Sequence, residues 1–342
     1  MPAASLLYKL ARDAMQAGSH RRIAIINAQA CLELTALLNE AKDYQLQQYH
    51  RDSALQLQQM GCLDTPLLHS QLDGYFDLIL VHPSKNRQQT LGWIAEALDH
   101  CSASGYIMLC AGNRHGAKGI ETQLRTITDQ LISVAKAKCR CFSFSAASVH
   151  NKDIINQWKK QAEARLAPEL DLISRPGLFS WNRPDPGSEL LLKYIPTGLE
   201  GSGMDLCCGN GFLSQRIIPQ SPNIEHLHLI DHDWLALACA EDNLKESTAA
   251  HTAHWLDATT EALPANVDWI ICNPPFHQQH RHSIELGQRI ITRACVSLKH
   301  GGHIWIVANR KLPYETPLKD ELGKVDIISQ EQGYKIIHGI RA

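Results

Sequence analysis

The strongest constraint on the fold is that the chain carries one pattern twice. The stretches YFDLILVHPSKNRQQTLGWIAEALDHCSASGYIMLCAGNRHG (75–116) and NVDWIICNPPFHQQHRHSIELGQRIITRACVSLKHGGHIWIVANRKLP (266–313) share one order of features. Each runs through an acidic residue, an apolar run, a proline-containing loop, an amphipathic helix pattern, glycine, a second apolar run and Asn-Arg. A helix between two buried strands is the connection expected of parallel neighbours in a sheet. Self-similarity of this kind points to duplication of one α/β unit. The length of 342 residues agrees, because single cores stop growing beyond about 250–300 residues. The polar segment NKDIINQWKKQAEARLAPEL (151–170) reads as a partly helical connector ending at Pro168, which sets the domains at 1–167 and 168–342.

The copies differ where chemistry would sit. His82-Pro83-Ser84-Lys85 stands in the first where Asn273-Pro274-Pro275-Phe276 stands in the second. The first-half strand RIAIINAQACLEL (22–34) also lacks the glycines of GMDLCCGNGFLSQ (203–215). Only the second half is equipped for catalysis. With 44% hydrophobic and 20% charged residues, the composition excludes a disordered or membrane-embedded chain. No apolar run approaches the ~20 residues of a membrane span. Lys9, Arg12 and Asp13 interrupt the N-terminal apolar residues, so no signal peptide is expected and the protein is read as cytoplasmic. Cysteines such as Cys110, Cys239, Cys272 and Cys295 fall inside apolar runs and read as reduced core thiols. The net charge of -2 excludes a uniformly basic coat. Between 133 and 165, however, Lys136, Lys138, Arg140, Lys152, Lys159, Lys160 and Arg165 outnumber Asp153 and Glu163. That segment is either a solvated face near the domain junction or a set of phosphate contacts.

In the second half, the apolar stretch Met204 to Cys208 leads into Gly209-Asn210-Gly211, and helical apolar spacing follows. Glycine permits positive φ and close approach of a ligand to bare backbone. Alone, such a turn is as often structural as functional. Its context is HLHLID (226–231), a second apolar strand ending in Asp231. A carboxylate there can accept both hydroxyls of a ribose, whereas Asp233 reads equally as a helix N-cap. AHWLDATTEAL (253–263) then sets Asp257 where it could meet the amine of an adenine. Finally, Asn273 leaves the end of the apolar run 267–272. Its side chain should point at whatever lies beyond the strand end, and the two prolines that follow fix the main chain there and add no donor.

Motifs in this order resemble the class I S-adenosylmethionine-dependent methyltransferases, and Asn-Pro-Pro-Phe narrows the likeness to those that methylate a planar nitrogen. What the resemblance implies for the motif is chemical: an sp2 amine is a poor nucleophile until hydrogen bonds hold it toward tetrahedral geometry. The Asn273 side-chain oxygen and the Pro274 carbonyl would accept its two N–H bonds, while prolines fix that carbonyl and add no competing donor. Phe276 would then offer a face for a stacked base, or else serve as ordinary core packing. Over nearly its full length the chain is similar to the bacterial ribosomal RNA guanine-N2 methyltransferases of the RsmC and RlmG type. The likeness is strongest in RPGLFSWNRPDPGSELLL (175–192), MDLCCGNGFLS (204–214), IICNPPFH (270–277) and GGHIWIVANRKLPY (301–314). It implies an α/β fold of two tandem class I, Rossmann-like methyltransferase domains, the N-terminal one degenerate. It implies S-adenosyl-L-methionine as cofactor and no metal. Asp205, Cys207, Gly209, Gly211, Asp231, Asp257 and Asn273 would line the cofactor pocket, and Asn273, Pro274, Pro275 and Phe276 would hold the guanine amine. Length and the short linker favour the small-subunit member. The implied partner is then 16S ribosomal RNA within the small ribosomal subunit, in rRNA processing and ribosome biogenesis, with no membrane and the protein a monomer.

One residue departs from the family pattern: Cys207 occupies the first motif glycine, in DLCCGNG. A thiol side chain calls for ordinary negative φ there, and weaker cofactor binding is the expected consequence. The 175–192 segment is expected to close over the methionine end of the cofactor, with Phe179 and Ser188 as candidates. His277, His280 and His282 beside Arg281 suit contact with RNA or a solvated loop, and Arg310 and Lys311 lie near the expected substrate entry. Rival readings are a methylase of another planar nitrogen (23S rRNA guanine N2, protein glutamine or adenine N6) and a non-catalytic rRNA-binding assembly factor.

Overall fold

The computed structural model describes residues 2–16, 22–62, 72–275 and 281–342, with the backbone alone at 281–283. It divides into two compact units, 1–163 and 164–342. The first contains α1 (Ala3–Gln16), β1 (Arg22–Ile26), α2 (Leu32–Glu40), β2 (Asp43–Leu46), α3 (Arg51–Gln59), β3 (Phe76–Val81), α4 (Arg87–His100), β4 (Cys101–Gly112), α5 (Ala117–Leu124), β5 (Ile132–Lys136), β6 (Cys139–Ser145) and α6 (Lys152–Ala162). Its sheet has the order β2-β1-β3-β4-β6-β5, parallel except where β6 pairs antiparallel with β4 and β5.

The second unit contains β7 (Arg165–Ala167), β8 (Leu172–Ser174), α7 (Pro186–Leu192), β9 (Gly201–Leu206), α8 (Phe212–Ile217), β10 (Ile224–Asp231), α9 (Trp234–Leu244), β11 (Ala250–Trp255), β12 (Val267–Cys272), α10 (Arg281–Ser297), β13 (Leu298–Asn309), α11 (Glu315–Glu321), β14 (Lys324–Glu331) and β15 (Tyr334–Ile340). Its main sheet runs β11-β10-β9-β12-β13-β15-β14. Replacing β1, β2, β3, β4, β5 and β6 by β9, β10, β12, β13, β14 and β15 converts one order into the other. Among the described strands of the main sheet, only β11 lacks a counterpart. Even an irregularity repeats: the register of β3 on β4 slips between Phe76 and Leu78, and that of β12 on β13 slips between Val267 and Trp269. The duplication read from the sequence is therefore structural as well.

The chain moves from β9 outward to β10 and β11 and then returns to the other side of β9 as β12. The order reverses between β9 and β12, and ligands of open α/β sheets bind beyond the carboxyl ends of strands at such a switch point. Buried side chains occupy both faces below it. Leu227, Leu229, Ile271 and Trp305 lie in one cluster, and Met204, Leu206, Ile270 and Ile306 lie in the other.

One expectation needs correction. Residues 152–162 are not connector but α6 of the first unit, with Ile155, Trp158 and Ala162 buried. Their spacing makes one apolar stripe, and Asn151 caps the helix by accepting from the Ile154 N–H. High polarity on the other face hid that stripe. Gly92 of α4 admits this packing, because a Cβ there would lie 2.1 Å from the Ala162 Cβ. Gly92→Ala is expected to destabilise the protein by about 1–3 kcal/mol through overpacking. Helix propensity alone would stabilise it by up to about 1 kcal/mol, so the sign measured in a urea titration decides whether α6 packs as described.

Candidate active site

The loop after β9 is built around three residues of left-handed backbone: Cys207 (φ 62), Gly209 (φ 56) and Gly211 (φ 79). Cys207 does not hold the negative φ expected of it. The reason lies in the hydrogen bonds that follow: the Cys208 N–H donates to the Ile230 carbonyl at 3.0 Å, and the Gly209 N–H donates to Asp231 Oδ2 at 2.8 Å. The chain must reverse at 207 to make both. The first unit does the same at Asn27 (φ 58), with a residue type that tolerates this conformation better. Gly209 faces open space, since an added Cβ would meet nothing within 4 Å. Gly211 instead packs against α9, where a Cβ would come within 3.3 Å of Ala240.

The four acids separate into different roles. Asp231, 8% exposed, accepts from Gly209 through Oδ2 and from the Asp233 N–H through Oδ1 at 2.9 Å, with His232 Nδ1 at 3.2 Å. Burial alone would raise its pKa, but His232 and these backbone N–H groups outweigh it and hold the carboxyl below the usual range. Asp205 lies fully buried beneath the loop. Ser214 donates its hydroxyl to Asp205 Oδ2 at 2.5 Å, while Oδ1 has no partner among the described residues. Burial pushes its pKa up to about 7 against the opposing Ser214 bond. Asp257 turns back on its own turn, accepting from the Thr259 N–H, Thr259 Oγ1 and Thr260 Oγ1. Asp233 is the N-cap of α9, accepting from the Leu235 N–H.

Asn273 emerges one residue beyond β12. Its Nδ2 donates to Asp185 Oδ2 at 3.0 Å and to Ser188 Oγ at 2.7 Å. Both amide hydrogens are thereby committed, and the carboxamide oxygen remains as the acceptor. Asp185 is also the N-cap of α7, receiving the Ser188 N–H at 2.9 Å, with Pro186 opening the helix. Asp-Pro before an apolar run signals a helix start, but its long-range bond to Asn273 left no mark in the sequence.

These groups meet in a cleft of two adjoining lobes. Cys207, Gly209, Asp231, Asn273, Pro274 and Pro275 line the larger, and Asp185, Ser188 and Asn210 line the smaller. Phe179 borders both. The larger lobe has a cavity volume of about 150 Å3 and opens to solvent at its mouth. Of the residues singled out in the sequence, Asp205, Gly211 and Asp257 do not line that lobe. Phe276, His277 and His280 lie outside the described residues, as do the side chains of Arg281 and His282.

The equivalent place in the first unit is filled. Ile26 pairs with Val81 as Leu206 pairs with Cys272, so Asn27, Gln48 and His82 hold the positions of Cys207, Asp231 and Asn273. Gln48 Nε2 donates to the Ala28 carbonyl at 2.7 Å, and Asn27 Nδ2 donates to the His82 carbonyl at 3.0 Å. Tyr8 accepts from the Gln29 N–H and packs edge-on against His82. Burial lowers the His82 pKa to about 3, so the ring stays neutral.

The sheet order, the glycine loop after the first strand, the acid after the second and the Asn-Pro-Pro turn after the fourth define a class I, Rossmann-like methyltransferase. The chain belongs to the methyltransferase small-domain family: the methyltransferase small domain model matches residues 169–338, and its N-terminal companion matches residues 15–162. It is 29% identical over 266 residues to ribosomal RNA small subunit methyltransferase C of Haemophilus influenzae (strain 86-028NP), covering 78% of this chain and 80% of that protein. The counterpart in Mannheimia succiniciproducens is 26% identical over 298 residues, covering 87% and 88%. A solved structure titled as the T. thermophilus 16S rRNA N2 G1207 methyltransferase (RsmC) in complex with AdoMet and guanosine superposes with a TM-score of 0.78 at 20% identity, covering 98% of this chain and 92% of that one.

Two outcomes test this geometry. Left-handed backbone costs a non-glycine residue about 1–2 kcal/mol, so Cys207→Gly is expected to stabilise the protein by about 0.5–1 kcal/mol after the entropy of glycine is offset. Cys207→Val is expected to destabilise it, both being read in urea. Because the Asp205 pKa is raised on folding, its contribution to stability is complete below the ordinary carboxyl pKa of about 4 and is lost as pH rises through about 7. Asp205→Asn is expected to flatten the fall in stability across that window; an unaltered slope would exclude the buried, protonated carboxyl.

Proposed function

We propose that the second unit transfers a methyl group from S-adenosyl-L-methionine to the exocyclic N2 amine of a guanosine in 16S ribosomal RNA, within the small ribosomal subunit and in the cytoplasm. The observation that carries this reading is the state of Asn273. With both amide hydrogens held by Asp185 and Ser188, the side chain faces the cleft as an acceptor, which is what a planar amine requires. The named relatives, two small-subunit ribosomal RNA methyltransferases and a 16S rRNA N2 G1207 methyltransferase, support the choice of guanine over glutamine or adenine.

The residues present fit the cofactor. Gly209 leaves its backbone open, and Asp231 brings a carboxylate kept in its charged form to the same lobe. In this reading Asp231 takes the ribose hydroxyls, and Gly209 with Cys207 lets the cofactor lie against the main chain. Asp205 acts from below, holding the first turn of α8 through Ser214. Bound S-adenosylmethionine supplies a methyl group already activated by its sulfonium. Asn273 and the Pro274 carbonyl then hold the amine in line, and Phe276 offers a stacking face for the base. Alignment supplies most of the acceleration, and no strong base is needed. In the first unit, the exposed lysines Lys136 and Lys138 flank the tight turn between β5 and β6 and suit phosphate contact.

Asn273→Ala is expected to lower methyl transfer by at least about 100-fold while calorimetry finds cofactor affinity close to the parent's. Methyl incorporation into naked 16S rRNA, small subunits lacking the modification, 23S rRNA and glutamine-bearing protein substrates separates the rivals. Transfer to guanosine N2 of 16S rRNA is expected. Cofactor binding without transfer to any of them would favour an assembly factor.

A further inference from the structure

We infer that Asp185 is a positioning residue that sets the polarity of the Asn273 carboxamide, with Ser188 as its dependent partner; this rests on the planar-amine reading above and deepens it. A primary amide can face a substrate with its oxygen or with its NH2 group, and the two orientations have nearly the same shape. Only the oxygen can receive an N–H from an exocyclic amine. The orientation must therefore be imposed from behind. A serine hydroxyl cannot impose it, because it donates and accepts equally well. An ionised carboxylate only accepts, and Asp185 Oδ2 sits 3.0 Å from Asn273 Nδ2. With the carboxylate in place, Ser188 Oγ at 2.7 Å also accepts from Nδ2. Charge-assisted bonds of this kind are about twice as strong as neutral ones. Donation to an anion also polarises the amide and makes its oxygen a better acceptor.

The surroundings hold Asp185 to this task. Asp185 and Ser188 are 6% and 7% exposed, so water does not compete freely for either. The same Oδ2 receives the Ser188 N–H at 2.9 Å, which ties the carboxylate to the start of α7. Of the two residues between them, Gly187 has no side chain, and a Cβ on it would stand 2.9 Å from Asp185 Oδ2 and 3.1 Å from the Tyr334 ring. Gly187 thus keeps clear the space through which Asp185 reaches Asn273. The segment that was expected to close over the cofactor gains a second duty, orienting the group that holds the amine acceptor.

The test uses the full-length protein as parent, Asp185→Asn, Ser188→Ala and Gly187→Ala. Asparagine caps helices as well as aspartate does, so Asp185→Asn keeps the start of α7 while removing the one acceptor-only group. Methyl transfer to small subunits lacking the modification should fall about 100-fold in kcat for Asp185→Asn, with KM for the subunit and the calorimetric Kd of S-adenosylmethionine changed by less than about threefold. Gly187→Ala should show the same split, a loss in kcat at near-parental KM. Ser188→Ala, which keeps the carboxylate, should lose less than Asp185→Asn. Nitrogen-15 NMR of the Asn273 side-chain amide, assigned by its absence in Asn273→Ala, supplies a readout independent of activity. Its hydrogens should exchange with water slowly in the parent and about tenfold faster or more in Asp185→Asn. A kcat within about threefold of the parent for Asp185→Asn, or amide exchange equal to the parent's, would overturn the assignment. If the parent methylates no RNA, the substrate reading falls, and the amide exchange still decides whether Asp185 fixes Asn273.

Discussion

Leu206 and Cys272 face each other across the pairing of β9 and β12, and both strands end there. Everything in the candidate site follows from that shared end. The strand order reverses at this pair, so the loops beginning at Cys207 and Asn273 leave the sheet side by side with no helix between them. One loop presents bare backbone and the other presents an amide oxygen. A ligand bound by the first therefore lies against a ligand bound by the second, which is the spatial requirement of group transfer between two molecules.

The first unit shows that the scaffold alone does not make the site. Its strands have the same order, the same slip of register and even the same left-handed residue after the first strand. What differs is the chemistry placed on it. Gln48 replaces the acid, Gln29 replaces the open glycine, and the Tyr8 hydroxyl receives the backbone N–H that Asp231 receives in the second unit. The crevice has been converted into core, and its polar atoms are largely satisfied from within.

Much of this was legible in the residues. Apolar runs bounded by glycine and proline located β9, β10 and β12, and the repeated pattern predicted a second sheet like the first. Asn-Pro-Pro after an apolar run placed Asn273 at a strand end, because strand ends and proline geometry are local properties. Other features were hidden for physical reasons. The role of α6 depended on a narrow apolar stripe within a polar segment, and packing against α4 decided it. The left-handed backbone of Cys207 is imposed by hydrogen bonds to β10, which no local propensity reports. Asp257 also accepts from two threonines just downstream, bonds that its place after an apolar run does not report. Asp185 was read past because its partner lies 88 residues away, and a cap signal says nothing about a second bond.

In the proposed reaction an amide oxygen, oriented from behind, meets a nucleobase amine beside the cofactor loop. The decisive experiment is a crystal structure of the protein with S-adenosylhomocysteine and guanosine. Asn273 Nδ2 should still be bonded to Asp185, with its Oδ1 within about 3 Å of the guanine N2 and the cofactor product against Gly209 and Asp231. A guanosine seated away from Asn273, or one that receives the Asn273 NH2 group in place of its oxygen, would contradict it.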